Sequence, residues 1–233
     1  MAGQAESAAR VRAAYERRAK LGLDARYDYW QPANLFVYQS RERAFLELLR
    51  RNDALPLSGR RIFDAGCGDG NVLLDLARYG AKRRSLAGID LLPERVERAR
   101  TLLPSADIRE ADAQAIPFPD GAFDLVLAFT LLSSIVDRAA RRRVVAEMLR
   151  VTAPGGLIVI YDFWINPFNR HARSLKRDEV RRLFAGRTVD FRSVTLAPPL
   201  VRLLAGRRGG WVAATVLEML PFLRTHFLAA VHC

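Results

Sequence analysis

A chain of 233 residues, half of them apolar, is long enough for one α/β domain with a sizeable core and excludes a disordered or fibrous protein. Its formal net charge of +12 rests almost wholly on arginine, since Lys20, Lys82 and Lys176 are the only lysines. Two cysteines, Cys67 and Cys233, exclude a disulfide framework.

The first residues lack the apolar core of a signal peptide, and no apolar run reaches the roughly 18 residues of a membrane span. A cytoplasmic location is therefore expected. Residues 6–20 read as an Ala/Arg-rich amphipathic helix, followed by an aromatic and polar stretch that Pro32 breaks. Within that stretch Tyr27, Tyr29 and Trp30 either line a substrate pocket and cover a cofactor, or anchor an amino-terminal helical cap. A second helix is expected from Leu35 to Arg51, so the cap spans residues 1–58 and an α/β unit residues 59–233.

Ile62–Leu76 reads I-F-D-A-G-C-G-D-G-N-V-L-L-D-L: a strand ending in Asp64, a turn with Gly66, Gly68 and Gly70, and a helix with Val72, Leu73, Leu74 and Leu76 facing inward. Such a unit cradles a nucleotide cofactor at the carboxyl end of a strand. A pyrophosphate-binding fingerprint would carry its third glycine at position 71, where Asn71 stands, and Asp69 puts a negative charge into the turn. That spelling points away from NAD. Ser85–Asp90 reads as the second strand, with Asp90 placed to accept ribose hydroxyls about 20 residues beyond the glycines. A third strand runs into Asp112, and a buried fourth, Leu125–Phe129, opens onto Thr130, Ser133 and Ser134 at the expected ligand mouth. After a basic helix, Thr152-Ala-Pro-Gly-Gly156 turns into a fifth strand that ends near Tyr161 and Asp162.

The run D-A-G-C-G-D-G, together with I-P-F-P-D-G-A-F-D and L-R-V-T-A-P-G-G-L in the same order, resembles the motifs of class I S-adenosylmethionine (SAM) dependent methyltransferases. The resemblance covers about Arg61 to Asp162. It implies a doubly wound, Rossmann-like sheet of seven mostly parallel strands with an antiparallel last strand. It places the cofactor on Asp64, Gly66, Cys67, Gly68, Asp90, Leu91, Asp112, Ala113 and Phe129, with Asp112 and the next amide reading adenine. Such chemistry needs an in-line methyl and an acceptor held close, and no metal; a base is required only for a weakly acidic acceptor. His171, Asp162 and the orienting hydroxyl of Tyr161 are the candidates for that role.

The Asn/Asp-Pro-Pro-Tyr run of enzymes that methylate exocyclic amines is replaced here by Ala128-Phe-Thr-Leu-Leu, and a Pro-Cys nucleophile is absent. The chain most resembles the broad group that includes quinone-biosynthesis and other small-molecule methyltransferases, which implies a small-molecule or lipid-like acceptor methylated at O, C or N, with nucleic acid disfavoured. An RNA methyltransferase and a non-catalytic SAM-binding protein remain the rival readings. Beyond residue 163 the chain alternates as an edge strand over residues 188–196 and then gives two apolar helical pieces before a last strand near Phe227–Val231. Residues 164–223 are expected to cover the substrate side. Arg202, Arg207, Arg208 and Arg224 beside those apolar pieces also suit an anionic membrane surface.

Overall fold

The structure, a computed structural model, describes Ala13, residues 28–165 and residues 173–233. The remainder of the helix expected over residues 6–20, Tyr27 and His171 lie outside the described residues. Among the described residues, seven strands form one sheet in the order β3-β2-β1-β4-β5-β7-β6: β1 (Ile62–Asp64), β2 (Leu86–Asp90), β3 (Asp107–Glu110), β4 (Phe123–Phe129), β5 (Thr152–Phe163), β6 (Val189–Leu196) and β7 (Arg224–His232). β3, β2, β1, β4 and β5 are paired in parallel, and β7 is antiparallel to both its neighbours. The order reverses at β1 and β4, which is where open α/β sheets bind ligands.

The inner parallel strands β1, β2 and β4 are covered on both faces, so their side chains are mostly apolar, whereas the edge strand β3 (Asp-Ile-Arg-Glu) buries only Ile108. On one face α1 (Pro32–Arg51), α2 (Asn71–Arg78) and α3 (Pro93–Leu102) pack Phe45, Leu49, Leu73, Leu76, Val96 and Ala99 onto Ile62, Leu86, Leu127 and Val159. On the other, α4 (Arg138–Val151) and α5 (Arg177–Leu183) set Val144, Met148 and Val180 against Phe63, Ile89, Val126 and Ile160. The cap helix α1 thus shares its core with the α/β unit. A third cluster joins Phe36 of α1 to Leu196 of β6 and to α6 (Pro198–Leu204) and α7 (Gly210–Glu218) through Val201, Ala205 and Ala214.

Three local details depart from the sequence reading. The second helix starts at Pro32 and not at Leu35, because a first-turn proline lacks only an N–H that would have no partner there. Asp112 lies two residues beyond the end of β3, in a turn and not on a strand. Arg141, within the segment read as a basic helix, has no exposed surface: its guanidinium donates to the Ile135 carbonyl (2.6 Å) and pairs with Glu179 (2.6 Å), tying α4 to α5.

β2 owes one residue to the neighbouring turn. A Cβ built on Gly88 would stand 2.9 Å from Cys67 Cβ, 3.0 Å from Cys67 Sγ and 3.0 Å from Leu73 Cδ1. Gly88→Ala is therefore expected to lower stability by about 1–3 kcal/mol through overpacking, read from the urea midpoint at unchanged slope. A midpoint equal to the parent's would show that the turn moves aside without cost.

Candidate functional site

The glycine turn is pinned from both sides before any ligand is considered. Ala65 N–H donates to Leu127 O of β4 (2.9 Å) and Cys67 N–H to Ile89 O of β2 (2.8 Å). Gly68 and Gly70 take φ of 53° and 84°, a region that disfavours a side chain, and Gly70 caps α2. Asp69 is engaged by Arg98 of α3 (2.9 Å), so the charge that sequence places in the turn is met by a surface arginine.

The two acids after β2 and β3 both sit in backbone cradles. Asp90 accepts the Gly68 N–H (2.9 Å) and the Leu92 N–H (3.0 Å), one on each oxygen; burial raises its pKa while these N–H groups oppose the shift. Asp112 accepts the Gln114 N–H (2.9 Å) and the Gln114 side-chain amide (3.0 Å). The Gln114 Oε1 in turn accepts Nε (2.9 Å) and Nη2 (2.7 Å) of Arg143, so α4 orients the acid from behind. Gln114 and Arg143 were not legible beforehand, because a loop glutamine and one arginine of a basic helix carry no spacing signal.

These acids open on one cleft. Gly66, Asp90 and Leu91 line it beside Asp112, Ala113 and Gln114, and Phe129, Thr130, Leu131 and Ser134 close the other wall. Thr130 holds a φ of 54°, strained for a β-branched side chain, and is fixed there by its N–H to Tyr161 O (2.7 Å). A ribose fits Asp90, whose oxygens each keep a free lone pair after one backbone bond, and an exocyclic amine fits Asp112 in the same way. At Gly66 a Cβ would stand 3.0 Å from Leu131 Cδ1, so a side chain there would require Leu131, which lines the cleft, to shift. The donor set thus fits a nucleoside cofactor without a phosphate.

Not every residue read from sequence reaches this cleft. Cys67, read as a cofactor residue, packs inward against Gly88 and does not line the cleft, and burial pushes its thiol pKa up. Gly68 contributes through its N–H to Asp90. Ser133 is buried and gives its N–H to Asp162 (3.0 Å), while the hydroxyl of Ser134 turns back to Leu131 O (2.6 Å). Asp162 is wholly buried and also accepts the Phe163 N–H (2.9 Å); burial lifts its pKa to about 6. Its place is to hold the loop after β4 against β5. Tyr161 is buried too, its hydroxyl 3.0 Å from Thr195 Oγ1, with its pKa pushed up to about 12 by burial. Trp30 is 77 % exposed and bonded to Asp28 (3.2 Å), whereas Tyr29 stacks on Tyr38 with ring centroids 4.1 Å apart.

What the sequence reading missed is a cation on α1. Arg41 lies over Tyr38 (5.1 Å), Phe129 (5.6 Å) and Tyr161 (5.6 Å), so it backs on the Phe129 wall of the cleft. It makes no hydrogen bond or ion pair among the described residues. Tyr38, Arg41 and Phe45 recur at helical spacing on one face of α1, a pattern that reads simply as a packed face until the partners are known. His226 of β7 stacks parallel on Tyr161 at 5.2 Å; burial first, and Arg41 second, depress its pKa to about 4.

Asp64 lies below this group, 1 % exposed. Burial pushes its pKa up to about 7 and Asp90 adds to the shift, against the Gly66 N–H and Arg41. The folded protein thus binds this proton more tightly than the unfolded chain. The stabilisation is complete below the unfolded pKa of about 3.9 and is lost as pH rises through about 7. Asp64→Asn is expected to flatten the fall in urea midpoint between pH 5 and 8 relative to the parent. An unchanged slope would place the titration elsewhere.

Comparison with known proteins agrees with this geometry. Residues 63–160 match the family model described as a methyltransferase domain. The chain is 37 % identical over 115 residues to 2-methyl-6-phytyl-1,4-hydroquinone methyltransferase of Synechocystis sp., covering 48 % of this chain and 34 % of that protein. It is 31 % identical over 153 residues to 27-O-demethylrifamycin SV methyltransferase of Amycolatopsis mediterranei, covering 63 % and 53 %. This chain therefore spans about a third to a half of the length of these relatives. Among solved structures, a SAM-dependent methyltransferase of Thermotoga maritima, described as a possible histamine N-methyltransferase, superposes with a TM-score of 0.62 at 18 % identity, over 94 % of this chain and 97 % of that one. At that identity the likeness speaks for the fold.

Proposed function

We propose that this chain, which belongs to the class I SAM-dependent methyltransferases, moves a methyl group from SAM to a small-molecule acceptor of lipid-like or aromatic character. The observation that carries the reading is the pair of cradled acids, Asp90 and Asp112, on one cleft with the glycine turn. Asp90 would hold the ribose, Asp112 and the Ala113 amide the adenine, and Gly66 the backbone approach to the methionine portion. Arg41, behind Phe129, would meet the carboxylate of that portion. When bound, SAM supplies an electrophilic methyl on a sulfonium.

The chain's own task is then to position the acceptor and exclude water. Phe129 lines the cleft, and Tyr161 and His226 are stacked behind it, so the acceptor side has an aromatic wall that favours a flat or greasy acceptor. Asp162 is committed to two backbone N–H groups, so an acceptor that ionises readily, such as a phenol or quinol, needs least from the enzyme. Many of the surface arginines are paired with acids, among them Arg61 with Asp124, Arg109 with Asp107 and Arg150 with Asp120, which leaves little support for the RNA reading. The test is calorimetric titration with S-adenosylhomocysteine, with NAD as control, followed by an acceptor screen over phenols, quinols and lipid-like alcohols. Micromolar binding of the first and none of the second is expected. Binding without turnover of any acceptor class would favour the non-catalytic reading.

A further inference from the structure

The outward face of α6, α7 and the turn after them is unlike the rest of the surface. Leu203, Val212, Val216, Met219, Leu220 and Phe222 are all exposed, Met219 and Phe222 by 71 % and 77 %. Val212, Val216 and Met219 recur at i, i+4 and i+7, so they share one side of α7, while Trp211, Ala214 and Leu217 pack inward beneath α1. The apolar side is thus a continuous feature of a helix whose other side is already spent in the core. Large exposed apolar patches mark interaction surfaces.

The charges around this face have one sign. Between residues 197 and 223 they are Arg202, Arg207, Arg208 and Glu218. Glu218 points inward: its carboxylate accepts from the Ser40 hydroxyl and from Leu196 N–H (3.3 Å) and pairs with Arg43 at 3.8 Å. Arg202, Arg207 and Arg208 are exposed and make no ion pair among the described residues. Arg224, which sequence grouped with them, is used differently. Its guanidinium donates to Glu218 O (2.6 Å), Ser193 O (2.9 Å) and Met219 O (3.4 Å), closing the end of α7. α7 itself carries no cation; its apolar stripe is flanked by Arg202 of α6 and by Arg207 and Arg208 of the α6–α7 turn, with no outward acid between residues 197 and 223, a combination that suits an anionic lipid headgroup layer.

We infer that the α6–α7 face docks on an anionic lipid bilayer, with Val212, Val216, Met219 and Phe222 entering the acyl boundary and Arg202, Arg207 and Arg208 meeting lipid phosphates. No helix of the described residues is long and apolar enough to cross a membrane, so the contact is peripheral. Docking here would bring α1, which carries Arg41 and Tyr38, close to the bilayer surface, where a lipid-borne acceptor resides. The inference stands apart from the cofactor reading, because lipid binding and S-adenosylhomocysteine binding are measured separately.

The experiment is co-sedimentation of the full chain with vesicles of equal parts phosphatidylcholine and phosphatidylglycerol, against vesicles of phosphatidylcholine alone. The parent is expected to partition onto the anionic vesicles and weakly onto the neutral ones. The double variant Met219→Ser/Phe222→Ser should partition roughly ten-fold less or weaker. Arg207→Gln/Arg208→Gln should lose about thirty-fold on anionic vesicles and little on neutral ones. Both variants replace exposed side chains and should bind S-adenosylhomocysteine as the parent does, which excludes misfolding. No sedimentation of the parent, or equal sedimentation of parent and variants, overturns the inference. So does a concentration-dependent dimer that Met219→Ser/Phe222→Ser abolishes, since a second copy would then cover the face. Salt-sensitive RNA binding lost only in the arginine variant would overturn it in favour of a nucleic-acid surface.

Discussion

Asp90→Ala is expected to weaken S-adenosylhomocysteine binding by at least about 100-fold in calorimetry, because a carboxylate bonded to two ribose hydroxyls contributes about 1.5–3 kcal/mol per bond. The same carboxylate holds the Gly68 and Leu92 N–H groups, so the variant should also melt lower, by about 2–10 °C. Asp90→Asn separates the two effects: it keeps one acceptor oxygen and should fall between parent and alanine variant in both measurements. Parent-like affinity in Asp90→Ala would show that the ribose is held elsewhere, and would remove the main support for the cofactor assignment.

Arg41→Gln tests the cation that only the fold reveals. With the guanidinium facing the methionine carboxylate, S-adenosylhomocysteine affinity should fall about 10- to 100-fold, while 5′-methylthioadenosine, which lacks that carboxylate, should bind within about two-fold of the parent. Arg41→Lys should recover part of the loss. Equal losses for both ligands would mean that Arg41 merely supports Phe129 and Tyr161, on whose rings it rests. An unchanged affinity for both would leave the cation to the acceptor. Removing it also removes one of the charges that favour ionised Asp64, so Arg41→Gln should raise that carboxyl's pKa further.

The two variants mark the boundary between what patterns in the chain disclose and what they hide. Asp64, Asp90 and Asp112 could be read in advance because each ends or follows a strand at a fixed distance from the glycines, and local chain geometry then delivers all three to the same edge of the sheet. Arg41 could not, since nothing within α1 says which distant rings its face will meet. Arg141 was hidden for a related reason: a run of arginines on α4 reads simply as a basic helix, yet one member is fully buried against Ile135 and Glu179. Asp162 and Tyr161, read as candidates for catalysis, end a strand near the site, but their side chains turn to the Ser133 N–H and the Thr195 hydroxyl.

By itself the sequence determined the parallel α/β class, the glycine turn with its non-phosphate spelling, and the acids that flank it. All of these follow from short-range rules: strand and helix periodicity, positive φ at glycine, and strand ends that meet at one rim. Only the tertiary structure decided that α1 shares the main core, that Arg41 backs the Phe129 wall of the cleft, that Arg143 steadies Asp112 through Gln114, and that Arg224 closes α7 while Arg207 and Arg208 stay outside. Each of these joins residues far apart in the chain, or depends on which face of a helix is buried, and burial is a property of the packed molecule and not of the local spacing.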